Sequence, residues 1–519
     1  MLGGPYASRF ATHNDGEARL HVASGLKNFK NFLIATASQY LFSISLTDMK
    51  ECNFMMSGKK RRVAIVGGGL AGLAAAVRLA ELVREKSTCG KTDGSSLEIH
   101  LFESGKHLGG RAGSVFLREE NVLLDGAQHI TMNCCTEMMD FLRKTDLIRF
   151  WKEEKCMTFC VREPENGTSP LRFYPFRNAE WLPTPFQLAP ALCGMGFLTV
   201  GERIQLPILL RKIQKKCPAP GLPLRAWLEE LGCSDRLMTQ FFEPVTLSAF
   251  SEQLESVSAR LAQTVLRRMF GPRNAWHFWR PTRPLREIFD AEFTPILEKL
   301  GIHIHRQTPI TRVLPEGVRF RNYEMTGTAT EQDFPADVVI LAVPWFRVGK
   351  IYPELETHGL LRTEIFEPRS IAAVHFWTEK PLFRQEHLVF PSETIQWIFR
   401  PEFGSLSELG VYHQVLISDA NRMVSPQNTA LERVVRAELQ MLFPSAKVKH
   451  FRVTRMPNAV FSPNPWMEHA RPTALTPYPN VFLAGDWTAT DLPATMESAI
   501  VSGNAAARET IYFLTDSAK

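Results

Sequence analysis

Hydrophobic positions in this chain gather into short unbroken runs, and most of these end in glycine or proline. The first is Val63 to Val66, inside Arg62–Gly72 (RVAIVGGGLAG). Four apolar residues running into glycine predict a buried strand, and the alanine-rich stretch Leu70 to Glu81 behind the glycines predicts a helix. Lys86 to Ser96 (KSTCGKTDGSS) is polar and glycine-bearing, a surface loop, and Leu97 to Phe102 is a second strand. Apolar spacing predicts helices over Cys134–Phe150, Leu222–Leu231 and Arg236–Phe250, with Phe241-Phe242-Glu243-Pro244 breaking the last. Leu285–Leu300 reads as a helix, followed by strands at Ile302–His305 and Thr311–Leu314. Asp337–Pro344 is a buried strand that rejoins the first sheet. Ser370–Trp377 and Val411–Ser418 read as strands and Thr429–Leu442 as a helix. Asn480–Ala484 is a last buried strand ending in Gly485-Asp486, and Pro493–Arg508 a final helix rich in small residues. Parallel-type strands at both ends of the chain, with mixed elements between them, predict an α/β fold: a Rossmann-like domain assembled from distant segments and an α+β domain inserted into it.

Length supports this division, since 519 residues exceed one ordinary core. The expected segments are a leader at 1–57, the nucleotide domain at 58–130, 285–345 and 478–519, and the substrate domain at 131–284 and 346–477. The leader has no sustained period, and Met55 or Met56 would make a natural start. The 45% hydrophobic and 22% charged composition is that of a globular protein. A formal charge of +6, with no basic run interleaved with aromatics, does not indicate nucleic acid. The cysteines form no paired metal spacing, so no metal site is expected. Free thiols in a reducing compartment, the cytoplasm, are the better reading. Leu171–Lys216, rich in Pro, Leu, Phe and Trp, reads as partly helical. Its segment 181–216 could wall an apolar tunnel, form a buried helix pair, or lie peripherally on the inner face of a membrane.

The glycines bring in chemistry. Gly67, Gly69 and Gly72 fit G-x-G-x-x-G between a strand and a helix. Gly67 permits the turn, Gly69 keeps the backbone bare for a pyrophosphate, and Gly72 lets the helix press on the sheet. The helix N-terminus at Leu70 and Ala71 then faces the phosphates. Glu103, at the end of the second strand, is the carboxylate for ribose hydroxyls. It lies 36 positions after Gly67 because of the inserted loop. Gly109-Gly110-Arg111 offers a second backbone approach to a diphosphate, with a guanidinium beside it. In LLDGAQHI, Leu123 to Ile130, three polar residues (Asp125, Gln128, His129) interrupt an apolar run.

A fingerprint near the start, G-G-R about 40 residues on and a terminal strand–G-D–helix together resemble the amine-oxidase and phytoene-desaturase superfamily of two-dinucleotide-binding-domain flavoproteins. The resemblance covers Arg61 to about Leu514. LLDGAQHI and AGDWTATDLPATMESAIVSG are most similar to its hydroxysqualene dehydroxylase branch, although Gly126-Ala127 stands where that branch has glycine next to Gln. The resemblance implies FAD. Gly67, Gly69, Gly72 and Glu103 would hold its ADP part, with Gly110 and Arg111 near the diphosphate and Val313 touching the adenine through its backbone. Gly485 and Asp486 would contact the ribityl or phosphate end, and Thr495 and Met496 the isoalloxazine. It implies a long apolar isoprenoid substrate, an electron donor it does not name, and reductive removal of an allylic hydroxyl. His129 and Asp125 are the candidates for the acid such a reaction needs. A carotenoid-type desaturase or isomerase, an amine oxidase, and a non-catalytic FAD-binding scaffold are the alternatives.

Overall fold

The computed structural model of the protein describes residues 60–88, 97–162, 170–182, 186–323, 329–359, 361–391, 393–423 and 426–516. The expected leader, its candidate starts at Met55 and Met56, and most of the polar loop before Leu97 lie outside these residues.

Five parallel strands form the nucleotide sheet: β1 (Arg61–Val66), β2 (Leu97–Phe102), β3 (Ile302–His305), β4 (Val338–Leu341) and β5 (Val481–Leu483). Their order is β3-β2-β1-β4-β5, so chain from both ends and the middle meets in one sheet. Val63 lies opposite both Ile99 and Val338. Val63, Ala64, Ile65, Val338, Val339 and Ile340 are fully buried, as strands covered on both faces require. Removing a Val or Ile side chain from water stabilises by about 1.5–3 kcal/mol, which is why these strands read as unbroken apolar runs.

Two long helices lie against this sheet. Helix α1 (Leu70–Thr88) continues past Glu81, the end expected from the alanine-rich run. Helix α2 (Met496–Asp516) also outruns its expected end. They pack on each other at Gly503, where a Cβ would sit 2.2 Å from the Ala71 carbonyl oxygen. No helix among the described residues is long and apolar enough to cross a membrane.

The second large layer is a seven-stranded sheet. In spatial order its strands are 448–461, 368–378, 411–418, 397–399, 387–389, 156–162 and 171–177. All neighbours pair antiparallel except Val389 with Phe159. Residues 171–177, expected within a partly helical stretch, are thus a strand, and α-helix begins only at Ala189, after a 3-10 turn at Phe186–Leu188. The expected break at Phe241–Pro244 is instead a change of winding. A wider π turn at Met238–Phe242, closed by the Glu243 N–H on the Met238 carbonyl, passes directly into the helix Glu243–Phe250, with Pro244 at its second position. The helix expected over Cys134–Phe150 stops at Lys144, and Asp146 turns left-handed before a short 3-10 segment.

Candidate functional site

Four of the five parallel strands deliver their carboxyl ends to one cavity, where ligands bind in open α/β sheets. Its volume is about 840 Å³. The wall includes Val66, Gly67 and Gly69 after β1, Phe102 and Glu103 after β2, Ala342 and Val343 after β4, and Gly485 and Asp486 after β5. Two glycine turns meet here. The Gly109 N–H donates to the Gly68 carbonyl at 2.9 Å, and Gly69 pairs with Gly109. Gly67 has φ +113° and would place a Cβ 2.5 Å from the Ala342 carbonyl oxygen. A Cβ on Gly110 would come within 3.0 Å of the Gly69 Cα, so the two turns close on each other only as glycine. Gly72 does not line the cavity. Its Cβ would strike the Gly67 carbonyl, so it serves the helix–turn contact.

Glu103 accepts the Gly68 N–H at 2.8 Å and the Gly105 N–H at 2.6 Å, which fixes the carboxylate beside the first turn. Leu70, Ala71, Gly110 and Arg111 line the same wall. Val313 faces the core and lies outside the lining, and its strand contributes Ile310 and Thr311 to the wall. Arg111 donates from Nη2 to Asp486 at 2.5 Å and from Nη1 to the Ala459 carbonyl at 2.9 Å, joining the second glycine turn to the last. Thr495 and Met496 open α2 at the wall, and the Thr495 hydroxyl caps it by accepting the Ser498 N–H at 3.2 Å. The wall therefore carries the N-termini of both long helices, α1 and α2, whose N–H groups favour negative charge.

One organising residue gave no signal in the sequence. Arg471 spans the loop after β5, donating to the carbonyls of Asp486 (2.7 Å), Trp487 (3.3 Å) and Leu492 (2.6 Å) and to the Thr490 hydroxyl (3.1 Å). Burial lowers its pKa to about 10. A cation with backbone partners has no local sequence pattern.

The seven-stranded sheet closes the cavity. Trp397 and Phe399, and Leu416 and Ser418, are two apart on paired strands and so share a face. The Trp397 and Phe399 rings stack at 5.3 Å, and the Trp397 indole N–H donates to Ser248 at 2.8 Å. Ile371 and Met456 extend this apolar face. These residues also escaped the sequence reading, because a buried apolar side chain looks the same whether it lines a core or a cavity.

Asp125–His129 runs against the seven-stranded sheet, where Gln414 and Thr454 donate to its carbonyls. Gln128 and His129 line the cavity; Asp125 does not. Asp125 is 1% exposed and accepts from the Ser114 hydroxyl at 2.6 Å and the Leu285 N–H at 2.8 Å. Burial pushes its carboxyl up to about 7. His129 donates from Nδ1 to its neighbour's carbonyl, Ala127, at 2.8 Å, which leaves Nε2 as the basic nitrogen. Burial, with Arg111 adding to it, lowers the His129 pKa below the ordinary imidazole value.

The sequence model of a family, flavin containing amine oxidoreductase, matches residues 70–511. The chain is similar to a hydroxysqualene dehydroxylase of Rhodopseudomonas palustris, with 25% identity over 86% of this chain and 97% of that one. It is similar also to a zeta-carotene desaturase of Synechocystis, with 21% identity over 86% of this chain and 96% of the relative. In fold it resembles the cyclohexylamine oxidase of Brevibacterium oxydans, with a TM-score of 0.58 and 14% identity, covering 87% of this chain and 99% of that one.

Proposed function

The chain belongs to the family of flavin containing amine oxidoreductases and is an FAD-dependent oxidoreductase, and we propose that its reaction is reductive removal of the allylic hydroxyl of hydroxysqualene, giving squalene and water. The observation that carries this reading is the part of the wall that the seven-stranded sheet supplies. It is apolar through Ile371, Trp397, Phe399, Leu416 and Met456, with the hydroxyls of Ser248, Ser251 and Ser418 among them, and it is joined by the polar side chains of Gln128 and His129. An apolar wall suits an isoprenoid chain, and a polar point suits one oxygen on it.

The residues present fit FAD. The bare glycine turns leave room for a diphosphate, and Glu103 would take the ADP ribose. Gly67, Gly69, Leu70, Ala71, Gly110 and Arg111 would hold the diphosphate, with Gly72 keeping α1 close. Gly485 and Asp486 would hold the ribityl end, and Thr495 and Met496 would lie along the ring. Val313 would act through its backbone, behind Ile310 and Thr311. Reduced FAD supplies two electrons, as hydride, to the carbon that loses oxygen.

This chain's own task is the departing oxygen. The hydroxyl leaves as water when it receives a proton. We assign that proton to Nε2 of His129, because Nδ1 is committed to Ala127. Nε2 carries no proton in this tautomer, so it first takes one up from solvent, and the lowered pKa makes the imidazolium so formed a stronger acid than an ordinary one. Asp125 stands behind the cavity wall, and we assign it to holding the turn.

Anaerobic incubation of dithionite-reduced enzyme with hydroxysqualene tests the proposal, and squalene with stoichiometric flavin reoxidation is expected. A second reading, a carotenoid-type desaturase, draws on the same apolar wall and on the zeta-carotene desaturase similarity. It predicts no squalene, and flavin reduction when phytoene meets the oxidised enzyme. A flavin that neither substrate affects would point to a scaffold. We propose also that the substrate is met at a membrane surface, through the helix Val200–Lys215.

A further inference from the structure

Three consecutive carbonyls in the Asp125–His129 segment each receive a hydrogen bond. Gln414 Nε2 donates to the Asp125 carbonyl at 2.9 Å, the Thr454 hydroxyl to that of Gly126 at 3.0 Å, and His129 Nδ1 to that of Ala127 at 2.8 Å. The middle bond ends a longer chain. With the Thr454 proton committed to Gly126, its oxygen accepts from His375 Nε2–H at 2.8 Å. His375 Nδ1 then accepts from the Tyr412 hydroxyl at 2.7 Å. His375 is fully buried, and burial lowers its pKa to about 3, so the ring stays neutral and keeps this single direction of donation. A segment fixed at three successive peptides presents its next side chains with little freedom left to lose on binding.

The side chain so presented beside His129 is Gln128. It lines the cavity, is 7% exposed, and its amide nitrogen has no hydrogen-bond partner among the described residues. The three carbonyls just before it are each satisfied, so its amide nitrogen is a donor left without a partner among the described residues where the segment meets the cavity. A carboxamide carries a donor and an acceptor, and a half-turn of its last torsion exchanges them. An alcohol likewise donates once and accepts. A hydrocarbon does neither.

On the reading that the substrate is hydroxysqualene, we infer that Gln128 is the specificity-determining residue of the site: its carboxamide hydrogen-bonds the substrate hydroxyl and holds that oxygen against Nε2 of His129. When the carbon–oxygen bond breaks, its electron pair goes to oxygen. A proton that His129 Nε2 first takes up from solvent completes a water molecule that stays bonded to Gln128, while the carbon would receive the hydride that bound reduced FAD supplies. The product has lost the group that Gln128 binds, so squalene leaves the amide unpaired and is held less tightly. A site with a committed polar partner discriminates strongly against an analogue lacking that group, which sets an oxygenated isoprenoid apart from a carotene.

Binding to the oxidised full-length enzyme tests this without turnover. The probes are hydroxysqualene and squalene, each followed by the change in the flavin spectrum. The wild type is expected to prefer the alcohol by about tenfold or more. Gln128→Leu is expected to bring the two affinities together by weakening the alcohol alone, with flavin content unchanged. Gln128→Met, closer in length, gives the same reading should the leucine variant fold poorly. Equal affinities in the wild type would overturn the assignment. So would a preference that survives both substitutions, or a shift in flavin affinity with the preference intact, which would turn the amide toward the cofactor. A wild type that prefers the alcohol yet makes no squalene when reduced would instead sink the reaction proposed above and leave Gln128 as an alcohol-binding residue.

Discussion

Asp125 has a carboxyl whose charge is disfavoured by its own burial. One oxygen is paired with Ser114 and Leu285, and the other has no partner among the described residues. Its pKa, raised to about 7, lies above that of the unfolded chain. Between about pH 4 and 7 the folded state therefore holds a proton that the unfolded state has released. The stabilisation is complete at the acid end and is lost as pH rises through 7. The difference is of order 4 kcal/mol at about 1.36 kcal/mol per pKa unit. Asp125→Asn removes the titration and keeps an oxygen for Ser114 and Leu285. We expect the wild type to lose more melting temperature than this variant between pH 5 and pH 8. Parallel slopes for the two proteins would show that Asp125 does not titrate in this range. The same burial explains why sequence named Asp125 and His129 together. Both are polar interruptions of one apolar run, but only the fold separates the residue behind the wall from the residue in it.

At the level of elements, the two long helices explain how the ends of the chain make one site. Glu497, in the first turn of α2, accepts the Met138 N–H at 2.7 Å and the Glu137 N–H at 3.3 Å, tying α2 to the start of the helix Thr136–Lys144. Gly503 sets the approach of α2 to α1, since an added Cβ meets the Ala71 carbonyl at 2.2 Å and the Ala74 Cβ at 3.0 Å. The first obstacle is backbone, which cannot step aside like a flexible side chain. Gly503→Val should force the helices apart, costing about 1–3 kcal/mol for overpacking. Leu70, Ala71, Met496 and Ala499 all line the cavity, so the displacement reaches the flavin. The expected result is a lower melting temperature and a reduced flavin-to-protein ratio, with Gly503→Ala intermediate. Full flavin occupancy in the valine variant would count against the close crossing. The parallel strands and both helices were legible because they are buried and their periods are unbroken. Much of the seven-stranded sheet was not. Its strand Leu171–Arg177 is largely exposed, with only Phe176 buried. Val448–Phe461 carries Lys, His, Arg and Pro, and within it only Phe451 and Phe461 are buried. Neither has the clean alternation that marks a half-buried strand. The cavity face of that sheet, and so the substrate wall, was therefore beyond what the pattern could reveal.

On the scale of the whole molecule, one helix is apolar on a side that the fold does not use. Helix Val200–Lys215 is capped by a reciprocal Thr199–Glu202 box and buries Leu206, Leu209, Leu210 and Ile213. Val200, Ile204 and Ile208 are 65%, 63% and 52% exposed. Their spacing of four places them on one face, which continues through Arg211 to Lys215. Trp181 and Phe186, just before in the chain, are exposed as well. Such a face, apolar with cations at one end, suits shallow insertion among anionic headgroups. Each Ile or Val withdrawn from water would contribute up to about 1.5–3 kcal/mol and each Lys or Arg about 1 kcal/mol near an anionic surface, enough together for reversible binding. An isoprenoid substrate partitions into the same bilayer, so binding there would place the cavity beside its supply. We expect the purified enzyme to co-sediment with vesicles containing phosphatidylglycerol and less with phosphatidylcholine alone. The double variant Ile204→Glu, Ile208→Glu should stay in the supernatant, with its flavin content and its turnover of detergent-dispersed substrate retained, because neither side chain lines the cavity. Undiminished sedimentation of that variant would remove this helix from the contact.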